Sequence, residues 1–306
     1  MKRFILNIGI FLIVFLVVCC IPLLLFEKEA KRCNSRPPYA RINWITNHKG
    51  SDAELIILGS SRAMDDYNDS IISCVLGKQC LNCGLAGYPF DYQYNIMYQT
   101  YLKNNKTPKY IIVDIVPWAF FDYYNEKYII EMLPYVNRKE FDFYINICPE
   151  LSNSDKLLLV RYAGQMRNVF HELHLFRHPE KDYWNRVKVT KWRSDMFTTK
   201  NELECDEAIV QLFKVFLKEC ADQGIQVVLV CSPLHQHDGA RWFDMEGFWG
   251  IIDECISGLD VSVLDYGDLF ENDTVFFIDP MHLNGYGRTV FSEKLAHDID
   301  SLGVLR

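Results

Sequence analysis

Three short segments carry side chains that could do covalent chemistry together. Gly59-Ser60-Ser61-Arg62 follows the apolar run Leu55-Ile56-Ile57-Leu58. A serine at a strand-to-helix turn presents its hydroxyl at a sheet edge, with its own N–H in the positive end of the helix. Asp279-Pro280-Met281-His282 places a carboxylate and an imidazole three residues apart, on one side of a single turn. The carboxylate can then hold the Nδ1–H while Nε2 takes the proton of a hydroxyl. Ser61 is therefore the candidate nucleophile, and Asp279 with His282 its acid/base partner. Asn82-Cys83-Gly84-Leu85-Ala86-Gly87 supplies the third segment. Glycines let backbone N–H groups approach a ligand, and such donors stabilise an oxyanion. Each segment also has a plain reading: a loop, a helix cap and a tight turn.

Other polar residues divide between site and frame. Arg62 either binds an anionic substrate or pairs with Asp65 or Asp114. His235 and His237 follow Ser232-Pro233 and so face the same edge. A His pair two apart can ligate metal, but no carboxylate or cysteine companion has suitable spacing. His235 is thus a candidate for lining the pocket. His171, His174 and His178 share one face of an expected helix, read as solvated. Cys80-Leu81-Asn82-Cys83 has redox or metal spacing without a second pair, and reads as small buried residues. With eleven cysteines, not all can pair within the chain; a disulfide stays open in an oxidising compartment. No metal or cofactor is called for by these residues.

The elements that must position them alternate. Strands are expected at Glu54–Gly59, Gln79–Asn82, Tyr110–Val116, Ile225–Cys231 and Val261–Leu264. Helices are expected at Asp91–Leu102, Leu203–Gln223, Phe248–Ile256 and Asn284–Leu302. Apolar strands alternating with helices predict a parallel sheet covered on both faces, with ligands outside the carboxyl ends of the strands. The stretch 118–202 interrupts the alternation and is rich in aromatics, among them Trp118, Phe120, Phe121, Tyr123, Tyr124, Trp184 and Trp192. It is expected to pack over the carboxyl edge, either as a cover for the site or as surface helices with aromatic anchors.

Phe4–Phe26 contains no charged side chain, and Asn7 is its one strongly polar residue. About 20 apolar residues span a bilayer core as a helix. No small-residue cleavage site is evident, and Val17-Val18 precede Cys19, so a lipid-modified cysteine is not expected. The segment 1–26 reads as a signal anchor, 27–53 as a juxtamembrane linker with Arg36-Pro37-Pro38, and 54–306 as the main domain. Lys2 and Arg3 favour a cytoplasmic N-terminus, but Lys28, Lys31 and Arg32 compete from the other side. A net charge of -8 over 306 residues disfavours a phosphate backbone as partner, so nucleic-acid binding is not expected.

Taken together, the order and spacing of these segments resemble the SGNH (GDSL-like) hydrolase superfamily over about residues 54 to 302. The resemblance implies a three-layer α/β/α fold with a central, mostly parallel five-stranded sheet, the flavodoxin-like SGNH fold, preceded here by one transmembrane helix. It assigns the nucleophile place to Ser61, with Ser60 where many members have Asp, the oxyanion glycine to Gly87, reached through Asn82, and the terminal Asp-x-x-His block to Asp279 and His282. His282-Leu283-Asn284 and Gly287 extend that last match. One block departs: Trp118 stands near the place of the family's oxyanion Asn. The anchor and the Gly-Ser-Ser block look like the superfamily's envelope branch, which includes D-alanyl-lipoteichoic acid transfer and alginate acetylation proteins. What this implies is an extracytoplasmic serine esterase or O-acyltransferase working on acyl groups of a cell-envelope glycan or polymer, alongside the membrane and a membrane-bound O-acyltransferase. The competing expectation is a non-catalytic module of the same fold that binds glycan or such a partner.

Overall fold

The computed structural model describes residues 2–36, 38–121, 126–142, 145, 148, 151–177, 205–235, 244–271, 273–303 and 305. They fall into two compact units. One is Met1–Trp44 with Tyr124–Lys181, and the other is Ile45–Tyr123 with Asp182–Arg306.

The larger unit is built on a five-stranded sheet in which every pairing is parallel. Its strands are β1 (Leu55–Leu58), β2 (Cys80–Asn82), β3 (Tyr110–Asp114), β4 (Gln226–Cys231) and β5 (Val261–Asp265), in the order β2-β1-β3-β4-β5. The chain leaves β1 toward β2 on one side and returns to β3 on the other. This reversal opens a crevice at the carboxyl ends of β1 and β3. Five strands were expected, and all five are present to within two residues at each end. Leu55–Leu58 and Tyr110–Asp114 are buried throughout, as continuous apolar runs require. The edge strand β5 is not: Val263 and Asp265 are exposed, and the residues around Val263 are half-buried.

Around the sheet stand α3 (Ser61–Asp66), α4 (Asp69–Leu76), α10 (Glu207–Asp222), α11 (Met245–Ile256) and α12 (Gly285–Ser301). α10 buries Ile209, Phe213, Phe216, Leu217 and Cys220, the stripe its periodicity predicts. Asp206 caps it by accepting the Ile209 N–H at 3.0 Å. The helix expected at 91–102 is three pieces: α5 (Phe90–Tyr92), a π-helical stretch Gln93–Tyr98, and α6 (Gln99–Asn104). Phe90, Tyr94 and Tyr98, four residues apart, all meet Phe216 of α10, with ring centroids 5.4, 6.1 and 5.1 Å away. A π turn is a local widening that hydropathy periodicity does not encode.

The stretch 27–53, expected as a juxtamembrane linker, carries helical structure. α1 (Lys2–Arg32) continues past the apolar stretch, and α2 (Tyr39–Asn47) follows it. Leu23, Phe26 and Ala30 form a buried stripe along the last third of α1. Phe26 meets Tyr39 and Tyr162 edge-on, at 6.4 and 5.7 Å. Asn43 gives its amide hydrogens to the carbonyls of Ala30 and Cys33, each at 2.8 Å. Of the expected insertion, Pro117–Phe121 belongs with the sheet, while α7 (Glu126–Met132), α8 (Leu158–Arg161) and α9 (Met166–Arg177) group with α1. Trp184 and Trp192 lie outside the described residues. α1 is apolar and long enough to cross a membrane once, or to act as a signal anchor.

Gly59 ends β1 with φ 147°, and a Cβ there would stand 2.6 Å from the Ala63 Cβ and 2.9 Å from the Asp114 Cβ. Neither neighbour has a flexible end to move away. Gly59→Ala is expected to destabilise the fold by about 1–3 kcal/mol through overpacking, with backbone strain added. Urea unfolding of the variant beside the wild type measures it.

Candidate active site

Ser61 is the first residue of α3, directly after Gly59-Ser60 at the carboxyl end of β1. It is half-buried. The first N–H groups of a helix have no partner within it, so the Ser61 N–H belongs to a donor-rich end. Asp279 closes β6 (Phe277–Asp279), and His282 opens β7 (His282–Leu283); the two face each other across a short antiparallel pair. Pro280 and Met281 make the reversal. Asp279 Oδ1 accepts the N–H groups of Met281 and His282 at 2.9 and 3.0 Å. The turn is thus built around the same carboxylate that serves the imidazole.

The three residues form one hydrogen-bonded chain. His282 Nδ1 lies 2.9 and 3.1 Å from the two oxygens of Asp279, and its Nε2 lies 2.8 Å from Ser61 Oγ. A carboxylate only accepts, so Nδ1 carries the hydrogen and the Ser61 hydroxyl donates to Nε2. Burial alone would lower the imidazole pKa. The hydrogen bond and charge of Asp279, with Asp66 and Asp65 behind it, outweigh burial and raise it. Burial pushes Asp279 the other way, but the His282 contact and the two N–H groups win and hold it below the usual carboxylate range. In this arrangement a proton leaving Ser61 would pass to an imidazole already stabilised in its charged form.

A second, fully buried cluster lies beneath. Arg62, which follows Ser61 on α3, donates from Nε to Ser232 Oγ at 2.9 Å, and from Nη2 to the Ser232 carbonyl and hydroxyl. Its Nε is 3.8 Å from Asp66 Oδ2 and 3.7 Å from Asp114 Oδ2. The expected partner Asp114 is there, and Asp66 stands where Asp65 was the other choice. Residues three and four apart both share a helix face, and here it is Asp66, four residues on, that lies beside Arg62. Asp114 also accepts the Tyr67 hydroxyl at 2.8 Å and the Ser232 N–H at 3.3 Å. Asp66 Oδ1 accepts the N–H of Leu283 at 2.8 Å, next to His282. Burial raises both carboxylates, Asp66 to about 7, against the pull of Arg62. Being fully enclosed, Arg62 has no surface to offer a ligand.

The remaining expected site residues are placed as follows. Asn82 is buried and serves the frame: its amide donates to the carbonyls of Ala63 and Tyr67 at 2.6 and 3.2 Å, and its oxygen accepts the Gly84 N–H at 2.9 Å. Those bonds join the turn after β2 to α3, so its side chain is not turned to a ligand. Gly84 allows this close approach, since a Cβ there would lie 2.6 Å from the Met64 N. Gly87 is exposed, with φ 83°, in the turn after β2 at the same edge of the sheet as Ser61. His235 is buried, donates its N–H to the Pro280 carbonyl at 3.0 Å and meets Phe277 edge-on at 5.3 Å. It supports the strand that carries Asp279. His237 and His178 lie outside the described residues. Cys80 and Cys83 are buried, and burial pushes the Cys80 thiol well up.

Trp118 sits in the 3₁₀ turn Pro117–Phe120 after β3. Its indole N–H donates to Ser60 Oγ at 3.4 Å, and its ring lies 5.5 Å from the Arg62 guanidinium. With Phe121, Met281, Cys205 and Met245 it forms a small apolar cluster. Sequence reasoning missed Asp66 and Ser232. Asp66 had a signal, its i,i+4 spacing from Arg62 on one helix; Ser232 had none beyond its place after β4.

No family model matches the chain, and no curated protein matches it. What the site can do therefore rests on its geometry.

Two outcomes follow. The His282 imidazole should titrate above the ordinary imidazole range, and Asp279→Asn should bring it down; NMR of the ring protons reads both. Arg62→Met removes the one cation between two buried carboxylates. It is expected to cost about 3–5 kcal/mol, as stranded buried charges do, in chemical denaturation at neutral pH.

Proposed function

We propose that this chain is a membrane-anchored, SGNH-like serine esterase or O-acyltransferase, acting on acyl groups of a cell-envelope glycan or polymer. The observation that carries the reading is the unbroken chain from Ser61 Oγ through His282 to Asp279. The strand order and the crevice after β1 and β3 agree with it. So does the apolar α1, whose helix would hold the main domain outside the cytoplasm.

The steps balance as follows. Ser61 Oγ bonds to the acyl carbon while its proton passes to His282 Nε2. Asp279 keeps the imidazole in the required tautomer and stabilises its charged form. The Ser61 N–H at the start of α3 and the N–H of Gly87 are assigned to the oxyanion. The bond to the departing oxygen breaks, and His282 returns the proton to it. Water or a sugar hydroxyl then attacks the acyl carbon of the Ser61 ester and gives its proton to His282; the bond from that carbon to Ser61 Oγ breaks, His282 returns the proton to Oγ, and the acyl group leaves as the acid or the new ester. Hydrolysis and transfer differ only in that acceptor. No metal or cofactor takes part in these steps.

One observation favours the second reading, a non-catalytic module that binds glycan or a membrane acyltransferase. Trp118 holds the place of the family's oxyanion Asn, and its N–H is given to Ser60. A site with fewer donors would bind an acyl group without turning it over.

A fluorophosphonate probe separates the readings. Under the first, Ser61 labels, with a rate that climbs with pH as His282 loses its proton, at a midpoint above the usual imidazole value. Ser61→Ala and His282→Ala abolish labelling, and Asp279→Asn slows it on the order of 10⁴-fold. Folded protein that stays unlabelled at Ser61 across this pH range sinks the catalytic reading and leaves the binding module.

A further inference from the structure

The smaller unit carries an apolar patch at one particular height along α1. Leu157, Leu158, Leu159 and Val160 are consecutive, and three of them are exposed: Leu157 by 64%, Leu159 by 40% and Val160 by 40%. Such a run on a short helix is normally turned inward. Here the inward position is taken by Arg161, the next residue, whose side chain is buried against Glu27 of α1. Tyr162 adds its hydroxyl to the same carboxylate at 3.3 Å and packs its ring on Phe26. The patch is therefore pinned, within one helical turn, to the level of Phe26 and Glu27.

That level is where the apolar part of α1 stops. From Phe4 to Leu25 the helix rises about 33 Å at 1.5 Å per residue, against a hydrocarbon core of about 30 Å. Ile21, Leu24 and Leu25 are still exposed on this helix, while Leu23 and Phe26 are covered by the unit. Exposed Lys28 follows, as expected at headgroup depth. The exposed face of α8 is thus continuous in height with the last lipid-facing turn of α1.

We infer that Leu157–Val160 is a second membrane contact: it lies in the bilayer interface beside the end of α1, with its apolar side chains in the acyl-chain boundary. The inference rests on α1 crossing a bilayer, and it holds whether or not Ser61 is catalytic. The Arg161–Glu27 ion pair sets the depth of the patch, and the polar segment Ser152–Lys156 before it remains among headgroups. An interfacial element of this kind holds a unit at a fixed depth, which a single helix alone does not.

The test uses the full chain in vesicles of phosphatidylcholine and phosphatidylglycerol that contain a diazirine on a lipid acyl chain. After photolysis, peptides are mapped by mass spectrometry. Residues 157–160 are expected to be modified at a level within roughly tenfold of Phe4–Leu25, since interfacial side chains reach about 5–10 Å into the acyl boundary. Modification of α1 with none at 157–160 overturns the inference and leaves the span standing. Modification of neither overturns both.

Discussion

The site depends on one cation. Arg62 is enclosed at the start of α3, between Asp66 on its own helix and Asp114 at the end of β3, with Ser232 after β4. A guanidinium taken out of water is costly unless its charge and its donors are answered. Here the answers come from the carboxyl ends of two strands and from the helix that follows a third. Each is drawn toward the same point, so β1, β3 and β4 end in a fixed relation. Ser61 is the residue before Arg62, and its hydroxyl inherits that relation. Asp66 passes it on again by accepting the Leu283 N–H beside His282. The carboxylate that balances the cation thus also holds the strand that carries the imidazole.

Steric demand works together with charge. Gly59 lets α3 begin close enough to Asp114 for Arg62 to reach it, and Gly84 lets the turn after β2 lie on the same helix. Asn82 then occupies the carbonyls of Ala63 and Tyr67. Residues singled out as ligand-facing by motif are in this way partly structural. Their types are required because backbones meet closely around α3, and hydrogen-bonding groups trapped there need partners.

Much of this was legible in the sequence, for identifiable reasons. The strands were visible because buried parallel strands are continuous apolar runs, as at Leu55–Leu58 and Tyr110–Asp114. Ser61 was visible because it follows such a run, and Asp279 and His282 because a carboxylate and an imidazole stand three residues apart. Less legible was whatever depended on pairing across long separations. Arg62 had two local carboxylates within reach, three and four residues on, and helical spacing alone does not choose between them. Ser232 meets Arg62 across 170 positions. The stretch 27–53 looked like a linker because charged residues and Arg36-Pro37-Pro38 interrupt its buried apolar positions, among them Ala30, Tyr39 and Ile42, and polar contacts such as Asn43 to Ala30 and Arg36 to Glu172 supply the rest of its anchorage. The π-helical turn at Gln93–Tyr98 was invisible for a different reason: hydropathy periodicity does not encode a local widening of the helix.

The short β6–β7 pair has a consequence for how such a site would fail. It forms its own two-stranded sheet and shares no ladder with the five central strands. Its ties to the rest of the unit include the Asp66–Leu283 bond, the Pro280 carbonyl held by His235, and the packing of Phe277 and Leu283. Segments held by few bonds open at lower free energy than the body of a domain. On heating, the imidazole can leave the serine while the central sheet is still intact, so the chemistry of Ser61 would disappear before the far-ultraviolet signal of the fold does.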